Sequence, residues 1–374
     1  MSEKKPKHRH ILLGVGVALL LLGAGGAAGA GFLTQDVHRQ HQEQLRQFQA
    51  QLQRITPQFL ADQQRLVQFE WFRPSPGQAD AMPLLLKLEQ SQALKLSETF
   101  TQAEIYKQAL EIDYRQLDFS WMQALLAYDH LLLTGHPENQ QLLAQEPLTL
   151  PISMHWPPAL DYAHWFRLRL MQGLANNELE PALKEARHLA YVMLNSENLL
   201  FIMLGLNMLS WEQEAHAHWQ GQRDLTGWQP LDAELLQVAR RTYRAAGAYS
   251  LLGMTPPDVM AQVLGDPAVQ VGICSGLSEG SASLLSYAFF PERQAQATQI
   301  AQWAQVRSCH STHLKKIWAK PQQASEAFFR QTEDSQQYKY LSKIPWVRQQ
   351  VGYILENIAF PNYLSDYEKM AEGK

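Results

Sequence analysis

The chain has little that names a chemistry. Only two cysteines, Cys274 and Cys309, occur in 374 residues, so one disulfide is the most it can form internally, and a disulfide-dense scaffold is excluded. Positive charge is not in excess. Lys and Arg number 32 against 36 Asp and Glu, for a formal net charge of −4, and nucleic acid is not an expected partner. A Gly-rich phosphate loop, a nucleotide fingerprint, an HExxH pair and a CxxC pair are missing, and no cofactor is expected. The chain carries no N-x-S/T acceptor sequence, which fits a bacterial envelope better than a eukaryotic lumen. Strand patterns are scarce, Val269–Ile273 (VQVGI) being the clearest. Aromatic residues are plentiful, which argues against a disordered body.

What is present begins with Ile11–Leu33, a run without a charge. As a helix it spans roughly 34 Å, enough for a hydrocarbon core of about 30 Å. Lys4, Lys5, Lys7 and Arg9 precede it, whereas Asp36, Arg39 and Glu43 after it nearly balance. The asymmetry keeps the N-terminus inside and translocates the body. The run reads as a retained signal-anchor. A cleaved signal peptide is the competing reading, because Ala28-Gly29-Ala30 forms an A-x-A-like site. The expected location is the cytoplasmic (inner) membrane, with the body on the periplasmic or extracytoplasmic side. Gly25 and Gly29 stand four apart, a spacing that lets two membrane helices approach closely.

The chain then divides into a basic head (1–10), the anchor (11–33), a membrane-proximal helical stalk (34–73) and a helical body (84–374), with a second candidate boundary in the Pro-rich stretch 146–158. Residues 35–72 read as one helix, because Leu45, Phe48, Leu52, Ile55 and Phe59 alternate three and four apart. Pro57 predicts a kink. Either a second copy, making a homodimer, or the chain's own body must cover this seam. Thr101–Leu117 and Ser120–Leu133 read as an antiparallel helix pair. Leu160–Leu174 and Glu178–Leu194, joined by Ala175-Asn176-Asn177, read as an αα-hairpin. That hairpin has the length of a tetratricopeptide-type unit but lacks its Trp, Gly and Pro pattern, and no second copy aligns with it. Leu199–Leu209 is apolar nearly all round and predicts a central buried helix. Further helices are expected from Asp232, Thr255-Pro256, Pro291, Pro321 and Pro345, and Trp346, Tyr353, Phe360 and Tyr367 recur every seven residues. The fold class is all-α: a transmembrane helix, a long membrane-proximal helix, and a multi-helix bundle or irregular repeat-like body.

Candidate chemistry is sparse. Gly276-Leu277-Ser278-Glu279-Gly280 fits the G-x-S-x-G elbow, which would make Ser278 a nucleophile with VQVGI as the preceding strand. The many parallel strands of such a hydrolase are absent from the pattern, and a Gly/Ser loop capping a helix explains the same letters. Cys309, His310 and His313 form a dense trio that with Cys274 offers zinc-type ligands, while a Cys274–Cys309 disulfide is the plainer account. Glu212/His216 and Glu214/His218 read as a solvated helix face, as do Arg240, Arg241 and Arg244. These features favour a scaffold or assembly factor working by protein–protein contact. The alternatives are an anchored hydrolase using Ser278 and a helical ligand- or metal-binding domain.

Overall fold

The computed structural model describes residues 39–40, 42–101, 104–145, 155, 157–249, 255–278 and 363–371. These residues are helical and contain no strand, only isolated bridges such as Asp80 with His130. The helices are α1 (residues 42–66), α2 (Met82–Gln90), α3 (Ser120–Leu125), α4 (Pro137–Gln145), α5 (Ala159–Asn176), α6 (Leu179–Leu194), α7 (Leu199–Trp219), α8 (Ala233–Tyr249), α9 (Pro257–Val263), α10 (Pro267–Ser278) and α11 (Tyr363–Ala371). Among the described residues no helix is long and apolar enough to cross a membrane. Ile11–Leu33, with Gly25 and Gly29, lies outside them.

The centre is a set of successive antiparallel neighbours, α5 to α8. Asn177 turns α5 into α6 with a left-handed backbone, φ 60°, while the Glu178 N–H donates to Gly173 O at 2.8 Å. Gly173 is required there, because a Cβ would sit 2.3 Å from that of Ala182. Ala163, Phe166, Leu170 and Leu174 form the buried face of α5, and Leu183, Ala186, Ala190 and Met193 that of α6. Asn198 caps α7, accepting the Leu200 N–H at 2.8 Å. As its all-round apolar start requires, α7 touches α5, α6, α8 and α10.

Helix α1 is part of this core. It runs antiparallel along α8: Thr56 Oγ1 lies 3.0 Å from Tyr249 Oη, the Phe59 and Tyr249 rings are 4.8 Å apart, and Arg65 reaches Glu234 at 2.8 Å. Phe48, Leu52, Ile55, Phe59 and Leu66 are buried in one cluster that extends to Tyr367, with Leu45 half-buried beside it. The stalk seam is therefore covered by the chain's own body. The helix continues through Pro57 and ends at residue 66, short of the Pro-rich stop.

Other expectations are corrected by local chemistry. The pair over 101–133 is instead a series of 3₁₀ turns, Ile105–Gln108 and Tyr114–Gln116 among them, with the short helix α3. Asp113 accepts the Arg115 N–H and Asp118 the Ser120 N–H, bonds that compete with helix continuation. Val269–Ile273 is not a strand but lies in α10. Asp266 caps that helix by accepting the Ala268 N–H at 2.9 Å, and Ala268 and Val269 beside it are buried in succession rather than alternately. A short buried apolar run has the same letters in either state. Gly272 lets α10 press against α8, since a Cβ there would lie 2.4 Å from Ala246 O.

Two side chains expected in solvent are held in ion pairs, Glu212 buried and Arg241 half-buried. Glu212 accepts Arg187 Nη2 at 2.5 Å and the Trp228 indole at 3.0 Å. Arg241 forks onto Asp62, both bonds at 2.7 Å. With Arg169 on Glu185 at 2.7 Å, these pairs join α6 to α7, α1 to α8, and α5 to α6.

Candidate functional site

The sequence candidates do not assemble into a site among the described residues. Ser278 ends α10, so the segment before it is helical and supplies no strand-to-turn elbow. Cys274 has its backbone in the same helix, whereas Cys309, His310 and His313 lie outside the described residues, and with them the disulfide and the zinc trio.

A different constellation forms at the ends of α2 and α4. Asp80 fixes the frame: its Oδ1 accepts the Met82 N–H at the start of α2 and the Leu132 N–H, both at 3.0 Å. Asp129 accepts the Gln78 and Ala79 N–H groups at 3.0 and 2.9 Å. These bonds lace the segment before α2 to the segment that leads through the Leu133–Gly135 turn into α4. Glu89, in the last turn of α2, is thereby brought to His136, the residue just before Pro137.

His155 completes the group. Asn139, fully buried, holds its backbone on both sides: Oδ1 accepts the His155 N–H at 2.6 Å, and Nδ2 donates to His155 O at 3.0 Å and Leu133 O at 2.7 Å. The His136 and His155 rings stack with centroids 4.1 Å apart. His155 Nε2 lies 2.7 Å from Glu89 Oε1, and its Nδ1 lies 3.4 Å from Glu138 Oε2. Burial first, and then His155, holds the buried His136 imidazole below its ordinary pKa. One atom from each of Glu89, His136 and His155 lies within 4.8 Å of the others. Side chains of His155 and Glu89 are about a quarter exposed, 28% and 26%, so the group is reachable from solvent. Chemically it offers imidazole nitrogen and carboxylate oxygen at one point.

Sequence reasoning missed these residues because no spacing announces them. Glu89 and His136 are distant in sequence, and His155 sits in the Pro-rich stretch that reads only as a boundary. His136-Pro137-Glu138-Asn139 is the only local hint, with acceptors grouped at a helix start.

A cleft of about 130 Å³ opens elsewhere, lined by Trp71, Arg73, Asn195, Glu197, Tyr243 and Gln270 among others. Pockets for organic ligands run to roughly 300–1,000 Å³, so this one is sized for a few waters. No family model, curated protein or solved structure matches the chain, and its chemistry must be argued from its own residues.

Proposed function

We propose that this chain is a single-pass membrane protein of a bacterial cell envelope, with its N-terminus inside and its helical body on the far side of the cytoplasmic membrane, acting as a scaffold or assembly factor through protein–protein contacts. One observation carries the reading. The helix that follows the uncharged run is built into the core of the body, with Leu52, Phe59 and Leu66 fully buried. Residues 34–47 are all the chain between Leu33 and the first buried seam residue, Phe48, a reach of roughly 20 Å at helical rise. An anchor joined to the body in this way holds it against the bilayer surface rather than on a long tether.

Contact surfaces are available at one end. Leu160 and Leu200 are 72% and 54% exposed. Both stand at the N-terminal ends of α5 and α7, which run parallel because each is antiparallel to α6. A partner docking on that end would cover both side chains. The hydrolase alternative loses its local geometry with the helical approach to Ser278.

The test is a photo-crosslinking residue placed at Leu160 and at Leu200 in intact cells. A discrete adduct with a different protein at these positions, absent at the exposed polar position Gln222, is the expected result. Adducts at neither position, or equal adducts at all three, would contradict the scaffold reading.

A further inference from the structure

We propose that Glu89, His136 and His155 bind one divalent transition-metal ion of the zinc class, with Glu138 as the outer partner of His155. The site stands on its own geometry, whether or not the body is membrane-anchored.

The donor set is the first argument. Two imidazoles and one carboxylate form the nitrogen- and oxygen-rich set that zinc accepts with a fourth position left for water. With bonds of about 2.0–2.1 Å, a tetrahedral ion spaces its ligand atoms roughly 3.3 Å apart. Here they lie within 4.8 Å, the His155–Glu89 pair at 2.7 Å. The closest pair must open by about 0.6 Å and the others close by at most about 1.5 Å, on two side chains with solvent beside them.

The second argument is the outer shell. A ligating histidine characteristically gives its other ring N–H to a carboxylate or carbonyl, which fixes the tautomer and the ring. His155 has this arrangement, with Nδ1 toward Glu138 and Nε2 toward Glu89. Asn139 clamps its backbone on both sides, a degree of fixation that a solvent-facing histidine in a Pro-rich connection does not need. His136 is buried and stacked on His155. Its Nδ1 accepts the Glu138 N–H in a long bond of 3.3 Å.

The third argument is charge. Glu89 and Glu138 flank two imidazoles, so the site already supplies two carboxylates to an incoming cation. A histidine ligates through a deprotonated ring nitrogen, so the ion competes with protons for the site. Affinity then falls as pH falls.

The test uses the full-length protein in detergent, stripped with chelator and titrated with zinc sulfate against a chromogenic competitor, then with cobalt(II) read by absorbance. One ion per chain and the intense ligand-field bands of tetrahedral cobalt are expected. His136→Ala and His155→Ala should each weaken zinc by about 100-fold or more, and Glu138→Gln by about 10-fold with stoichiometry unchanged. Replacing His310 and His313 by Ala should leave the binding intact. Wild-type affinity in His155→Ala, loss of the ion in the His310/His313 variant, or wild-type protein without cobalt bands would each overturn the site and leave an ion pair only. Because the cobalt spectrum is read on the wild type, a variant that fails to fold does not shield the proposal.

Discussion

Replacing Arg241 by Leu tests how the chain closes on itself. Asp62 of α1 accepts two bonds from Arg241 of α8 at 2.7 Å, one from the Tyr367 hydroxyl of α11 at 2.9 Å and one from Gln58 at 3.0 Å. The Asp62 and Arg241 side chains are only 5% and 15% exposed. An exposed ion pair is worth about 0–1 kcal/mol, whereas removing one partner of a buried pair costs roughly 3–5 kcal/mol, because the other charge stays behind without compensation. Arg241 is half-buried, but Asp62, the charge left behind, is buried and selects the larger figure. Arg241→Leu should therefore lower stability by about 3–5 kcal/mol. Adding Asp62→Asn removes the stranded charge while its carbonyl still accepts from Tyr367, so the double variant should recover to within about 1–2 kcal/mol of wild type. Urea unfolding followed by tryptophan fluorescence reads this as a midpoint shift at constant slope. A loss under about 1 kcal/mol in the single variant, or a double variant equal to the sum of the singles, would refute the reasoning.

Two further perturbations separate competing readings. Leu52→Asp with Ile55→Asp places two carboxylates in the core, where each large apolar side chain contributes roughly 1.5–3 kcal/mol by burial; the helical circular dichroism of the body should collapse, whereas a folded monomer released from a dimer would mean that the seam faces a second copy. Asp266 is the pH-sensitive position: burial pushes its carboxyl up from 3.8 to about 7, against the N–H bonds it accepts from Ala268 and Val269. A raised carboxyl contributes stability that is present below about pH 4 and is lost as pH rises through about 7, up to roughly 4 kcal/mol at 1.36 kcal/mol per unit. Asp266→Asn should flatten that part of the profile and raise the melting temperature at pH 8 relative to wild type; an equal effect at pH 5 and pH 8 would contradict it.

Helical periodicity was readable where it was long. The α5–α6 hairpin and the buried start of α7 follow from apolar spacing and from Asn177 as a turn residue, and Asp232 caps α8 by accepting the Leu235 N–H at 3.0 Å. Period alone did not say what covers a seam: Phe48, Leu52 and Ile55 read equally as a dimer face and as core, and only the approach of α8 and α11 decides between them. Short segments failed for a different reason. VQVGI carries β-branched residues but is capped by Asp266 into a helix, and the Asp113 and Asp118 turns break a pattern that looks helical by composition. Buried charge was illegible, because Arg241 and Glu212 are ordinary surface letters until Asp62, Arg187 and Trp228 arrive from other helices. The histidine cluster was missed on the same ground, its members meeting through Asp80, Asp129 and Asn139 rather than through spacing.

The central claim is that the body is anchored and translocated, and cysteine accessibility tests it most directly. In a chain with Cys274 and Cys309 replaced by Ser, single cysteines are placed at Ser2, in the basic head, and at Gln78, which is exposed on the body. A membrane-impermeant maleimide is then applied to spheroplasts before and after lysis. The account predicts that the Gln78 position labels in intact spheroplasts and the Ser2 position only after lysis. Labelling of Ser2 alone in intact spheroplasts, or of neither until lysis, would contradict it.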